Sequence, residues 1–258
     1  MLKKLISKLK FAFYLIKNYK NSLQILFFRK KKTIKQISLR NGITFVGNQK
    51  SQLLEITTEI FFDQVYTFKI KINQGDIVVD IGANIGVFSV FAASNGASHV
   101  FAYEPFPENI KLIKKNSKLN GYRTIVTTQA AVSDKLGQSK LYLGSVDSGN
   151  LLFDHNSEGK LSTYVQVPTV TLESIFKTHH LSQIDFLKID CEGSEGAIFQ
   201  STPDRIWKKI ERIALEFHDN VSIIHHAEIE KRLSKLGYKT DIVANPDSPF
   251  GYIYAFRS

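Results

Sequence analysis

Residues 76–86 read DIVVDIGANIG, and this motif is the strongest indication of the fold. Its first half is a short apolar run that ends in an acid, Asp80, and its second half is a glycine-bearing turn that leads into a helix. Residues 100–104 repeat the design, because another apolar run ends in a second acid, Glu104. Strands that alternate with helices in this way are typical of a parallel sheet whose ligands bind beyond the carboxyl ends of the strands.

The chemistry of the turn narrows the choice of ligand. Dinucleotide-binding turns carry glycine where the pyrophosphate approaches the backbone, whereas this turn has Asn84 at that point. A carboxylate just before the turn, as at Asp80, repels a pyrophosphate and suits the ammonium of a methionine group. An acid at the tip of the next strand, here Glu104, suits ribose hydroxyls. The pattern therefore favours S-adenosylmethionine (SAM) over a dinucleotide, and a purely structural turn is the alternative.

The rest of the chain predicts five strand–helix units followed by a closing pair of strands. The main strands are expected at 77–80, 99–104, 124–131, 185–190, 212–218, 239–243 and 251–256. Two further strands, at 141–143 and 164–170, flank a polar loop at 144–160 that is a candidate acceptor lid. This pattern predicts an α/β, doubly wound, Rossmann-like sheet of seven strands with a helical extension at its N-terminus.

We divide the chain into three parts. Residues 1–40 form a basic, amphipathic helical extension, and residues 41–74 form a lead-in strand and helix that cover the cofactor site. Residues 75–258 form the SAM-binding domain. Glu59 and Tyr66 belong to the lead-in, where they either close over the methionine end of the cofactor or pack against the sheet.

The positive charge of the chain is concentrated at its N-terminus. The formal net charge is +10, but residues 1–54 contain 13 Lys/Arg and no Asp or Glu. The remaining 21 Lys/Arg, 34 less those 13, face all 24 Asp/Glu, so the body is mildly acidic. This distribution argues against a nucleic-acid groove across the body. The single cysteine, Cys191, excludes a disulfide framework and predicts a reducing, cytoplasmic location.

The first segment of the chain has apolar residues at helical spacing, among them Leu2, Ile6, Leu9 and Phe13, with lysines between them. Its apolar stretches are shorter than the roughly 18 residues that a membrane-spanning helix needs. One interpretation is peripheral docking of residues 1–35 on an anionic membrane at its inner face, at about 1 kcal/mol per Lys/Arg. The other is a helical cover packed on the body. Liposome co-sedimentation after deletion of residues 1–35 distinguishes the two.

Polar residues that suit acid–base chemistry follow the fourth and fifth main strands. Residues 187–195 read LKIDCEGSE, in which Asp190 ends an apolar strand, and residues 216–219 read EFHD, in which His218 ends the next. Transfer of a methyl group to a hydroxyl needs a base for the hydroxyl proton, and a histidine of ordinary pKa suits that task. Asp190 either orients the imidazole or is itself the base. Glu192 and Glu195 are interpreted as acids that favour a helix N-terminus.

The same side chains also allow a divalent metal site. Carboxylates and an imidazole are ligands for Mg²⁺ or Mn²⁺, and a metal would polarise the acceptor hydroxyl in place of a base. We prefer the metal-free interpretation and assign no metal ligand. The side chains of the alternative are Asp190, Glu192, Glu216, His218 and Asp219.

Taken together, these motifs resemble the FkbM family of SAM-dependent methyltransferases. The resemblance spans about residues 39–256 and is carried by residues 79–86, 103–105, 130–133, 187–195 and 215–218. It implies a methyltransferase sheet, SAM as the cofactor, and methyl transfer to a hydroxyl, often on a sugar or a secondary metabolite. The cofactor positions that it implies are Asp80, Gly82, Asn84, Gly86 and Glu104. Cys191 departs from the small apolar residue that is usual there.

We therefore predict an O-methyltransferase that acts on a hydroxyl of a carbohydrate, glycoconjugate or secondary metabolite, with Asp190 and His218 as catalytic residues. Ala131 is expected to border the adenine. One alternative is an RNA methyltransferase that uses the basic arm, but the acidic body and the lack of an Asn-Pro-Pro-aromatic motif argue against it. The other is a catalytically silent cofactor-binding module tethered to a membrane.

Overall fold

The computed structural model describes residues 34–48, 51–142, 163–244 and 248–257. The predicted amphipathic helix of the N-terminal extension and the polar loop at 144–160 lie outside the described residues. In the part of the chain that is described, we find no helix with the length and apolar character needed to cross a bilayer.

The described residues contain strands β1 (Gln36–Ser38), β2 (Thr44–Val46), β3 (Ile77–Ile81), β4 (His99–Tyr103), β5 (Ile125–Thr128), β6 (Ala131–Val132), β7 (Gly137–Tyr142), β8 (Tyr164–Val170), β9 (Ile184–Ile189), β10 (Ile210–His218), β11 (Lys239–Ala244) and β12 (Phe250–Phe256). Seven of them form one sheet in the order β11-β12-β10-β9-β3-β4-β5. Only β12 is antiparallel to its neighbours in this sheet. The predicted seven-stranded α/β fold is therefore confirmed, and the carboxyl ends of β3, β4, β9 and β10 meet at one edge.

The helices of the described residues are α1 (Leu53–Thr58), a π-helical turn (Glu59–Asp63), α2 (Val87–Ser94), α3 (Pro107–Leu119), α4 (Leu172–Thr178), α5 (Glu195–Ser201), α6 (Asp204–Trp207) and α7 (His226–Lys235). Thr171 caps α4, because its hydroxyl accepts from the amide of Ser174 while the Ser174 hydroxyl accepts from the amide of Thr171. The helix predicted within the lead-in at residues 41–74 is present as α1, and the π-helical turn continues it.

Alternating side chains of the central strands build a core on each face of the sheet. Val79 and Ile81 of β3 pack with α4, α5, α6 and α7, among whose side chains is the fully buried Trp207. Val78, the residue before Val79, packs on the opposite face with α2 and the lead-in elements. This two-residue period is the reason that nearly unbroken apolar runs serve as strands covered on both faces.

The predicted strand at 124–131 is wrong in its extent. The structure ends β5 at Thr128 and starts a separate strand, β6, at Ala131. β6 belongs to a second sheet of three strands in the order β6-β8-β7. The chain turns between the two strands, where the amide of Ala130 donates to the carbonyl of Thr128. This turn takes Ala131 away from the main sheet and places it beside the strand tips.

The lead-in segment is attached to the body by Asn116 of α3 and by Asn120, the residue that caps the C-terminus of α3. The amide of Val46 donates to Asn116 at 2.8 Å, and the amide of Thr44 donates to Asn120 at 2.8 Å. Each asparagine also donates back to the carbonyl of the same residue. The two side chains thus pair with β2 as a strand would. The β1–β2 hairpin extends across residue 40, so backbone pairing joins the predicted extension to the lead-in.

Candidate active site

Two cavities lie at the carboxyl edge of the main sheet. The first, here called the Glu104 cavity, is bordered by Glu104, Asn109, Ala130, Ala131 and Leu141. The second, here called the Glu59 cavity, is bordered by Gln52, Glu59, Tyr66, Lys188 and Glu216. Both cavities are also lined by the same four residues, which are Gly82, Asn84, Asp190 and Glu192. Tips of β3 and β9 therefore form the boundary at which the two cavities meet.

Glu104 is held rigidly at the end of β4. One of its carboxylate oxygens accepts from the amide of Asn84 at 2.9 Å, and the other accepts from the amide of Phe106 at 2.9 Å. The Asn109 side chain donates to the second oxygen at 3.3 Å. Burial raises the pKa of Glu104 to about 7, against the lowering effect of these hydrogen bonds. The carboxylate is thus oriented before any ligand arrives, and its remaining lone pairs suit the hydroxyls of a ribose.

The two glycines of the turn serve different purposes. Gly82 borders both cavities, and a Cβ atom there would lie 1.6 Å from the carbonyl oxygen of Asp190. Gly86 borders neither cavity; its φ of +83° and its approach to Ile113 require glycine for packing. The predicted cofactor position at Gly86 therefore lies against α3. Asn84, with a φ of +49°, lines both cavities, and its side-chain oxygen is buried with no described hydrogen bond.

Asp80 lies beneath the cavities rather than in them. Its side chain is fully buried, accepts from the Ser89 hydroxyl at 2.6 Å, and lies 3.3 Å from the ammonium of Lys188. Lys188 is almost fully buried as well, and it also donates to the carbonyl of Gly82 at 2.6 Å. Burial lowers the pKa of Lys188, but the carboxylates of Asp80 and Asp190 outweigh burial and raise it. The Asp80 carboxylate is thus engaged by Ser89 and Lys188, and its contact with a methionine ammonium stays a prediction.

Asp190 and Glu216 share the hydroxyl of Tyr66. That hydroxyl donates to Asp190 at 2.7 Å, and a carboxylate oxygen of Glu216 lies 2.9 Å from the same atom. Because the hydroxyl carries one proton, both hydrogen bonds form together only when Glu216 is protonated. Burial and the charge of Asp190 raise the pKa of Glu216 to about 8, which fits that arrangement. Lys188 lies 3.5 Å from the same oxygen of Asp190.

His218 is placed near Asp190 but is oriented by a different acid. Its Nδ1 atom lies 3.1 Å from Glu195, whose side chain has no exposed surface. Its Nε2 atom lies 3.5 Å from Glu192. Burial lowers the pKa of His218, but the hydrogen bond with Glu195 and the charges of Glu195, Asp190 and Glu192 raise it to about 10. The premise of a histidine with an ordinary pKa is therefore wrong, and the imidazole is cationic at neutral pH.

Glu192 combines access with a neutral-range pKa. Its side chain is 35% exposed, lines both cavities and faces the imidazolium of His218. Burial and the charge of Asp190 raise its pKa to about 7, while His218 lowers it. Its φ of +52° lies in the left-handed region, a strained state for glutamate that is often found at functional sites. From the sequence, Glu192 is expected at a helix terminus or at a metal; its backbone strain has no sequence signal.

Two groups of side chains in the described residues have the spacing of metal ligands. Donor atoms of Asp190, Glu192 and His218 lie within 4.8 Å of one another, as do those of Asp219, His225 and His226. The first group retains three of the five side chains of the metal alternative. Asp219 is separated from it, because its carboxylate pairs with His225 at 3.0 Å. Lys188 and the His218 imidazolium supply positive charge to the first group without a metal.

Comparison with known proteins assigns the chain to a family. A model described as the methyltransferase FkbM domain matches residues 80–240, which include the cofactor turn, Glu104, Asp190 and His218. This chain belongs to that family. It is an FkbM-type methyltransferase, and the family assignment implies SAM as the methyl donor.

Two curated methyltransferases resemble the chain over about three quarters of its length. The 31-O-demethyl-FK506 methyltransferase FkbM of Streptomyces tacrolimicus is 26% identical over 215 residues, which cover 72% of this chain and 82% of the relative. Methyltransferase sdnD of Sordaria araneosa is 23% identical over 227 residues, which cover 76% of this chain and 86% of the relative.

A solved structure of the same family supports the fold. The methyltransferase FkbM of Methylobacillus flagellatus KT superimposes with a TM-score of 0.51 at 12% sequence identity. The match covers 98% of this chain but 59% of that chain, so the present chain spans little more than half of that protein.

Proposed function

We propose that this FkbM-type enzyme transfers a methyl group from SAM to a hydroxyl of a carbohydrate, glycoconjugate or secondary metabolite. The observation that carries the proposal is the junction of the two cavities, where Gly82, Asn84, Asp190 and Glu192 line both. A cofactor that extends from one cavity into the other presents its reactive centre beside the carboxylates of Asp190 and Glu192.

The residues of the two cavities fit such a cofactor. The oriented carboxylate of Glu104 suits ribose hydroxyls, and Ala131 with Leu141 offers apolar contact to a base. Asn84 has a buried side-chain oxygen without a described partner, which a bound ligand can satisfy. When SAM is bound, its sulfonium supplies an electrophilic methyl group.

Glu192 is the proposed general base for the acceptor hydroxyl. A base works best when its pKa lies near the working pH, and that of Glu192 is about 7. His218 stays cationic and keeps Glu192 ionised, while Glu195 fixes the imidazole through Nδ1. Asp190 is held by Tyr66 and Lys188, so it orients the acceptor beside Glu192. The sequence predicted His218 or Asp190 as the base, whereas in this proposal both residues assist Glu192.

The chemistry of the cavities also bears on the class of acceptor. The Glu59 cavity is lined by five acids, Glu55, Glu59, Asp190, Glu192 and Glu216, and by one described cation, Lys188. Such a surface repels polyanions, which disfavours RNA and supports a neutral acceptor. The relative from Streptomyces tacrolimicus, by its name, methylates 31-O-demethyl-FK506. That relative supports a small molecule with a free hydroxyl.

Calorimetric titration with SAM and, in parallel, with NAD tests the cofactor, and labelled SAM with pools of glycans and small metabolites tests the acceptor. We expect micromolar SAM binding and no NAD binding. Label transfer to a hydroxyl should be lost in Glu192→Gln and reduced in Asp190→Ala and His218→Ala. Failure to bind SAM would contradict the whole proposal. Full transfer by all three variants would contradict the assignment of the acceptor site.

A further inference from the structure

The amino-acid end of the proposed cofactor carries an ammonium, and the carboxylate expected to meet it is already engaged. Asp80 has no exposed surface, contacts Ser89 and Lys188, and borders neither cavity. A charge that is neutralised by a buried lysine offers little attraction to a second cation. Another carboxylate must therefore serve the ammonium in this chain.

Three of the acids that line the Glu59 cavity are engaged with neighbouring side chains. Asp190 and Glu216 share the Tyr66 hydroxyl, and Glu192 faces the imidazolium of His218. They also lie on the side of β9 and β10, where the acceptor is proposed to bind. The remaining acids, Glu55 and Glu59, belong to the covering helix and to the π-helical turn that continues it.

Glu59 is the better placed of these two. It borders the same cavity as Gly82, Ala83 and Asn84 of the cofactor turn. Glu59 is exposed at the rim of the cavity. Partial desolvation and the charge of Asp190 raise its pKa to about 7. None of the described residues gives it a hydrogen bond or a positive partner. A cationic ligand group would relieve this repulsion.

The position of Glu59 relative to the cofactor turn is fixed by packing. Ile60, the next residue, is buried, and Phe61 meets Phe91 of α2 edge to face with ring centres 5.1 Å apart. Tyr66 meets Phe88 of α2 in the same manner at 5.4 Å. Since α2 begins directly after the turn, the covering segment packs against the helix that continues the turn. π-Helical turns are frequent at functional sites, and this one starts at Glu59.

We propose that Glu59 binds the ammonium at the amino-acid end of SAM, in the place that the sequence pattern assigns to Asp80. The inference rests on the proposed use of SAM, and it concerns one end of that molecule. Glu59 then determines selectivity for cofactors that carry an amino acid, while Glu104 serves the ribose.

The test compares two ligands that differ at one end. S-adenosylhomocysteine and methylthioadenosine share the adenosine and the thioether, and only the first carries the ammonium. Titration calorimetry on Glu59→Gln should show an affinity for S-adenosylhomocysteine that is about tenfold to a hundredfold weaker, the range for a hydrogen bond to a charged group. Its affinity for methylthioadenosine should equal that of the wild type, which also shows that the variant is folded. Glu55→Gln, one helical turn earlier, is the matched control and should bind both ligands as the wild type does.

The outcomes separate the inference from the proposed function. If the wild type binds S-adenosylhomocysteine and Glu59→Gln binds it equally well, the role of Glu59 is overturned while SAM use stands. If Glu59→Gln weakens both ligands equally, Glu59 acts on the shape of the cavity and the ammonium contact is overturned. If the wild type binds neither SAM nor S-adenosylhomocysteine, the proposed function and the inference fall together.

Discussion

The imidazole of His218 and the buried carboxylate of Glu195 lie 3.1 Å apart at the end of β10 and the start of α5. A carboxylate accepts only, so the Nδ1 atom of the ring carries a proton and the Nε2 atom is directed to Glu192. The pair keeps a positive charge next to the proposed base. This arrangement makes the histidine a modulator of the base and yields a pH dependence that can be measured.

Replacement of His218 by glutamine should move the acid limb of the pH–rate profile to higher pH. The imidazolium lowers the pKa of Glu192, so its removal raises that pKa and protonates the base at a higher pH. The profile of kcat/KM reports this group in the free enzyme. An acid limb that stays in place would show that Glu192 does not govern the rate.

Replacement of Asp190 by asparagine should move the same limb in the opposite direction. The charge of Asp190 raises the pKa of Glu192, so the neutral amide lets Glu192 stay ionised to lower pH. The rate at the plateau should fall as well, because Tyr66 and Lys188 lose their charged partner. Shifts of the same sign in the two variants would contradict the assignment of Glu192 as the base.

Glu192→Gln should lower kcat by about 10²–10⁴-fold, the usual contribution of a general base. The affinity for S-adenosylhomocysteine should change little, because the amide keeps the size of the side chain. Single-turnover kinetics with saturating SAM measure the chemical step. Unchanged kcat would return the role of base to Asp190.

Binding of methylthioadenosine should weaken as the pH falls below about 7. The pKa of Glu104 is raised to about 7, so its carboxylate gains a proton in that range and loses acceptor capacity for ribose hydroxyls. Calorimetry across this range should show the loss in the wild type and its absence in Glu104→Gln, which binds weakly at every pH. A wild-type affinity that is constant across the range would contradict the ribose contact.

Lys188→Met should lower the free energy of unfolding by about 3–5 kcal/mol, because it leaves Asp80 buried without a counter-charge. The double variant Asp80→Asn/Lys188→Met should recover much of this loss in urea unfolding. Lys177→Met is the control, since its ion pair with Glu173 is exposed and is worth about 0–1 kcal/mol. Equal effects of the two methionine variants would show that the buried pair does not stabilise the fold.

The sequence predicted the main sheet well because its strands are local apolar runs bounded by acids and glycines. All seven predicted main strands occur in the sheet. The break between Thr128 and Ala131 was missed, because β6 depends on a pairing with β8 that is distant in sequence. The roles of Asn116 and Asn120 were missed for the same reason, since they pair with β2.

The sequence predicted the location of the candidate site, but it did not predict the hydrogen bonds and ion pairs of the residues there. Glu104, Asp190 and His218 stand at strand ends, where the alternation of strand and helix places them. The neighbours of Asp80 and His218 come from three-dimensional packing, so the contacts with Lys188 and Glu195 had no signal in the pattern. The role of Lys188 was the hardest to predict, because a lysine inside an apolar strand usually indicates an exposed edge.

The requirement for glycine at Gly82 affects how an inactive relative of this enzyme can be recognised from its sequence. Its α-hydrogen faces the Asp190 carbonyl where no larger residue fits, so the glycine is required by the architecture even when no ligand binds. A descendant that has become a pseudoenzyme would keep this glycine and would still match the turn pattern. Loss of activity would first appear as substitutions of side chains that the fold does not require. The side chain of Glu59, which we propose binds the cofactor, is one of these.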